Sequence, residues 1–389
     1  MNGDLTIGRN AVVKGTGTPP KLKVTGTVYC EGDNILECDL SAENLEAEDN
    51  VVIHGDMEVE DTVEIEDGRL EIYGKMKAKH IDVDEALFVS KDLITEEADV
   101  GGSLRVDGAV QAEDIDVGGT FKAKGEVTVE QIEVGGTLSI DSKVEIKSLE
   151  VGGTAKVNGG KISEIDVGGS FESTDTLEFD SIDVGGTVML SNKCKGRDIG
   201  VGGSLRVEGD LTFEDIDVGG TIRIMGSGEG HDIDVGGTLE VDGSLKLSGT
   251  LDVGGTVAIG NEFTAEDIEI GGTLRAERVL ARDHVEIGGS ISTIEGTTAR
   301  LVEIGRRAEV RGPIKADQVD IGKGAYVENI FGKRILLRNG AHAENLYGES
   351  ITIESGCQIS GEVHYTNELR VGDNVSLFKA PQKVDKITY

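Results

Sequence analysis

The stretch Val235-Gly236-Gly237-Thr238-Leu239-Glu240-Val241-Asp242-Gly243-Ser244-Leu245-Lys246-Leu247-Ser248-Gly249-Thr250-Leu251-Asp252-Val253 decides the fold of this chain. It divides into three six-residue steps, each with two aliphatic residues at period 2 and a corner that contains glycine. Alternation puts Leu239 and Val241 on one face of a strand and Glu240 on the other. A helix is excluded because the positions three and four residues from each aliphatic are mostly polar. Three short strands per turn predict an all-β fold, a single-stranded triangular β-helix (β-solenoid) in which shorter coils lose a residue at a corner.

The same coil recurs along the chain. V-G-G-T or V-G-G-S stands at Val100, Val117, Val134, Val151, Val167, Val184, Val201, Val218, Val235 and Val253, at intervals of 17 residues with one of 16 and one of 18. Ile270, Ile287, Ile304 and Ile321 continue the register, and Leu337, Ile353 and Val371 extend it with looser turns. Backwards it runs through Val83, Ile65 and Ala47 to Val24 and Ile7, with a 23-residue step placed between Val24 and Ala47. The expectation is about 22 coils of about 17 residues, divided into irregular N-terminal coils (1–82), regular coils (83–304), variant C-terminal coils (305–378) and a tail or cap (379–389). Stacked at a strand spacing of about 4.8 Å, they would make a rod on the order of 100 Å long. Each coil would be stabilised only by its neighbours, as in other repeat proteins.

Composition agrees with a narrow interior. The 389 residues include no Trp, 4% aromatics and 57 Gly, while 37% hydrophobic residues argue against disorder. The paired glycines are expected at positive φ, which glycine adopts cheaply. A phosphate-cradling role would need a following helix, and no helical pattern is legible. Four cysteines, Cys30, Cys38, Cys194 and Cys357, form no C-x-x-C pair, so a reducing compartment fits best. The N-terminus lacks the basic start and apolar run of a signal peptide, and the expected location is the cytoplasm.

Charge is large and patterned. The net charge of −35 argues against nucleic acid or an anionic membrane as partner. Between the two inward aliphatics before each corner sits one outward residue, and from Asp82 to Asp320 fourteen of fifteen such positions are acidic. They include Asp116, Glu133, Glu150, Asp166, Asp183, Asp217, Asp234 and Asp252, which should stack into an acidic seam along one edge. Such a seam keeps solenoids from adhering side by side; cations should relieve its repulsion, yet no specific metal site is assigned. Residues 1–280 carry 24 basic and 58 acidic groups, a net of −34, whereas residues 281–389 are nearly neutral at −1.

Nothing in the residues asks for catalysis or a cofactor. Six histidines, His54, His80, His231, His284, His342 and His364, are scattered without a close pair or a zinc-ligand spacing. No nucleophile elbow, kinase motif or P-loop is present. Left-handed hexapeptide acyltransferases share the aliphatic-glycine hexad but carry a small residue where Leu239, Leu245 and Leu251 stand. The expectation is therefore a protein that is not an enzyme, with no catalytic, cofactor or metal residues.

The L-x-V-x-G steps such as Leu239-Glu240-Val241-Asp242-Gly243, the V-G-G corners and the 17-residue coil resemble the bactofilins, or polymer-forming cytoskeletal proteins, over residues 83–377. That resemblance implies a right-handed β-helix that polymerises end to end, without nucleotide, into scaffolding filaments. It also implies a junction built from apolar residues of the terminal coil, here Val371, Val375, Leu377 and Phe378. The expected partner is a second copy of the chain; the alternative is an acidic module presenting a charge lattice to a basic protein. No membrane-binding segment precedes the first coil near Leu5, so membrane attachment is not expected.

Overall fold

The computed structural model describes residues 1–387, which contain strands and turns but no helix. Strands about 17 residues apart pair in parallel to form a β-solenoid of about 21 turns, the number that 22 register positions enclose. The chain divides into two compact units, Met1–Ser191 and Asn192–Tyr389. No helix of the described residues is long and apolar enough to cross a membrane.

The coil quoted above, in the second unit, forms the strands Thr238–Val241, Leu245–Leu247 and Thr250–Val253. Its six inward side chains are at most 4% exposed. Leu239 lies between Ile222 and Val257 of the adjacent coils, and Val253 between Val235 and Ile270. The hydrophobic contacts thus run along columns of equivalent residues, each burying its neighbour.

Aromatic residues enter these columns, at Phe171 and Phe213 beside a small residue of the adjacent coil. Phe121, Phe171 and Phe263 are fully buried, although composition alone points to an aliphatic interior. Ala155 stands between Leu138 and Phe171 in its column. Phe213 fills space left by the next coil, where a Cβ on Gly230 would lie 2.1 Å from its ring. Phe121, between Leu104 and Leu138, shows that the columns also accept an aromatic ring between two large aliphatics.

Two expectations need correction. Cys30, not Val24, is the register partner of Ile7 and Ala47, so the 23-residue step lies between Ile7 and Cys30. The extra residues form a small excursion closed by an antiparallel bridge between Thr16 and Lys21, and Val24 is a buried residue at its return. The second correction concerns the glycine pairs of the V-G-G and I-G-G corners, none of which has positive φ; only the separate pair Gly159-Gly160 does. Their requirement is space: a Cβ on Gly237 would lie 2.3 Å from the carbonyl oxygen of Gly220, and one on Gly220 would lie 2.2 Å from that of Gly203. Backbone stacks on backbone at this corner, and no side chain fits between.

The variant C-terminal coils turn differently. Arg307, Gly324, Gly340, Gly356 and Asn374 occupy the left-handed region at successive corners. Ala308, Ala325, Ala341 and Cys357 follow the first four as buried small residues. Here glycine is used for its backbone freedom. Gln382–Lys383 adds a short parallel strand on His364–Tyr365, and Ile387 beyond it is buried.

The two glycine classes predict different penalties. Gly237→Ala should destabilise the protein by about 3 kcal/mol or more, because a ladder carbonyl cannot move aside. Gly340→Ala, with φ +70° and nothing within 4 Å of its Cβ, should cost only the left-handed backbone strain of about 1–2 kcal/mol. Chemical denaturation midpoints of the two variants measure the difference.

Candidate functional site

Register converts the repeated acidic position into two continuous columns. In the first unit Glu46, Glu64, Asp82, Asp99, Asp116, Glu133, Glu150, Asp166 and Asp183 pair in succession. Glu46 and Glu64 extend the seam beyond the V-G-G coils, where the less regular corners hide the pattern in sequence. In the second unit Gly200 interrupts the pattern, and Asp217, Asp234, Asp252, Glu269, Glu286, Glu303 and Asp320 follow. Leu336 ends this column.

These carboxylates differ from the other acids of the surface. Off the seam, acids find cations across adjacent coils: Lys156 with Glu172 at 2.7 Å, Lys246 with Glu229 at 2.7 Å and Arg223 with Glu240 at 2.9 Å. Among the described residues, only Glu303 and Asp320 of the seam have ion-pair partners, His284 and Arg338. Neighbouring seam charges about 4.8 Å apart repel by roughly 1 kcal/mol in water. Partial burial raises the carboxyls of Asp99 and Asp234, and the flanking seam acids Asp116 and Asp82, or Asp252 and Asp217, add to the shift. Asp107 is lowered by hydrogen bonds from Arg105 and Lys124.

Serine and threonine after each glycine pair form a second ladder, Ser103, Thr120, Thr137, Thr154, Ser170 and Thr187 in the first unit. Thr154 Oγ1 lies 3.4 Å from Ser170 Oγ. The four cysteines are buried, and burial pushes the Cys30 thiol up to about 11, far from a reactive thiolate.

The terminal coils carry the other candidate surface. Leu5–Ile7, Val12–Lys14 and Lys21–Lys23 each pair with one following strand. Their inward residues Leu5, Val13 and Leu22 are half-buried, whereas the partners Val28, Leu36 and Leu40 are at most 1% exposed. At the other end Val371 is 45% exposed while its partner Ile353 is 1% exposed. Leu377, paired with the buried Ile359, and Val375 are half-buried. Phe378 is 75% exposed, with its backbone N–H donating to Ile359. The four candidate interface residues are thus on one terminal coil.

No protein-family model matches the chain, and no match is found among curated proteins or solved structures.

Seam carboxylates without an ion-pair partner, such as Asp234, have a measurable pH signature. A carboxyl raised in the folded state binds its proton more tightly there, so its contribution opposes folding once pH exceeds the ordinary Asp value near 3.8. Asp234→Asn should therefore raise the denaturation midpoint at neutral pH, by no more than about 1 kcal/mol after solvent screening. The gain should shrink with added salt and vanish below the ordinary Asp range, as thermal melts across pH and ionic strength test.

Proposed function

We propose that this protein is a structural scaffold, without enzymatic activity, that self-associates end to end into nucleotide-independent filaments in the cytoplasm. The observation that carries this reading is the match between the two terminal coils. Each has inward aliphatics that are only half-buried, Leu5, Val13 and Leu22 at one end and Val375 and Leu377 at the other, and each offers strand edges that a further parallel coil would pair. A second copy stacked end to end would cover both groups. Such a contact joins two different patches, and a heterologous contact of that kind extends into an open polymer. The likeness of the L-x-V-x-G steps and V-G-G corners to bactofilins supports the same reading, and the seams would hold neighbouring filaments apart.

Single-ended variants test it. Leu377→Asp and Val13→Asp should each stay monomeric while retaining the circular dichroism of the strands, whereas the natural chain should form filaments visible by negative-stain microscopy. Mixed in equal amounts, the two variants should stop at dimers by light scattering, because only one intact junction can form per pair. Filaments from Leu377→Asp, or a natural chain monomeric at every concentration and salt, would overturn the proposal.

A second reading, a charge lattice for a basic partner protein, is favoured by the seam carboxylates without an ion-pair partner. It predicts capture of a basic protein that is lost steeply with salt and weakened by paired Asp217→Asn and Asp234→Asn substitutions, with filament formation unchanged.

A further inference from the structure

We propose that His284, Glu286 and Glu303 form a site for one zinc ion. The argument starts from register. His284 and Glu286 are two residues apart on the strand Thr273–Ile287, both outward, with the fully buried Val285 between them. Glu303 is the register partner of Glu286 on the next coil. One donor atom from each of the three lies within 4.8 Å of the others, and this is the one such group of histidine, cysteine and acidic residues among the described residues.

A second observation separates this place from the rest of the acidic column. The Nε2 atom of His284 is buried and has no hydrogen-bond partner. The His284 side chain is 21% exposed, and its Nε2 faces Glu303 Oε2 at 3.6 Å, beyond hydrogen-bond length. A buried polar nitrogen left unpaired is costly, and a ligand that accepts its lone pair removes that cost. The backbone of His284 is held in place by its N–H, which donates to Asp267 Oδ1 at 3.1 Å.

Charge and ligand chemistry select the ion. Two carboxylates and a neutral imidazole carry −2, which a divalent ion balances. Imidazole nitrogen favours zinc and its transition-metal neighbours over calcium and magnesium, which prefer all-oxygen shells. Ligands about 2.0–2.2 Å from a tetrahedral centre are about 3.4 Å apart. Glutamate side chains close the remaining gap by rotation about their χ angles, and water completes the shell. The nearby Arg338 donates two hydrogen bonds to Asp320, at 2.8 and 2.5 Å, and acts on Glu303 only through its charge, so its donors do not occupy the ligand oxygens. His80 provides an internal contrast. It too sits beside the seam, but its Nδ1 already lies 3.3 Å from Glu97 Oε2.

Because the ligands come from adjacent coils, the ion would tie one turn to the next and add stability by mass action. Equilibrium dialysis of the full chain against Zn²⁺, in physiological salt with excess Mg²⁺ to occupy the rest of the seam, tests the proposal. The natural chain should retain one Zn²⁺, and so should His80→Gln. His284→Gln and Glu303→Gln should each bind roughly tenfold more weakly or worse, with strand circular dichroism intact, and should lose the rise in melting temperature on adding Zn²⁺. As a measurement independent of any variant, Co²⁺ added to the natural chain should give a visible ligand-field band that saturates at one equivalent and disappears on adding Zn²⁺. Retention that Mg²⁺ abolishes, retention equal in both site variants, or the absence of a saturating Co²⁺ band would overturn the site.

Discussion

The whole structure depends on one coil resting directly on the next, backbone against backbone. At the glycine corners this contact is so close that the Cβ of any other residue would enter the carbonyl of the preceding turn, as at Gly237 over Gly220. Along the strands the same stacking gives parallel ladders such as Leu239 on Ile222 and Val257 on Leu239. At Phe213 a larger side chain is accommodated by the next coil, where Gly230 leaves the space its ring occupies. Corner sterics, side-chain columns and strand pairing therefore impose one period.

That period gives single surface residues a collective character. A carboxylate repeated once per turn becomes a line of charge, and the seams keep this charge because their cations are placed elsewhere, on Glu172, Glu229 and Glu240. At Glu303 and Asp320 the pattern changes: His284 and Arg338 approach the column. The variant corners begin in the same region, with Arg307 taking the first of five left-handed turn positions. Corner geometry and surface chemistry change together there.

Much of this was legible in the residues because period 2 within a strand and period 17 between strands are both visible in a linear string. The inward and outward assignments of Leu239, Glu240 and Val241 needed nothing more than alternation. The reading failed where a local insertion separated sequence spacing from space: the Thr16–Lys21 excursion shifted the first register partner from Val24 to Cys30. It also misjudged why the glycines are paired, since composition cannot distinguish a residue chosen for positive φ from one chosen because a carbonyl lies where its Cβ would be. Glu46 and Glu64 escaped notice for a related reason, as their coils lack the corner motif that marks the register.

The amino-acid sequence by itself determined that the chain is a three-stranded-per-turn β-solenoid with an acidic face, because alternation and periodic corners admit no other way to bury these aliphatics. Only the tertiary structure decided which acids have cations beside them, which terminal aliphatics lose their cover and where a histidine meets two glutamates. Those properties depend on side chains in adjacent coils, about 17 residues apart in sequence, and on which rotamers bring their ends together. A repeat fixes the lattice positions, and contacts between neighbouring positions give each of them its chemistry.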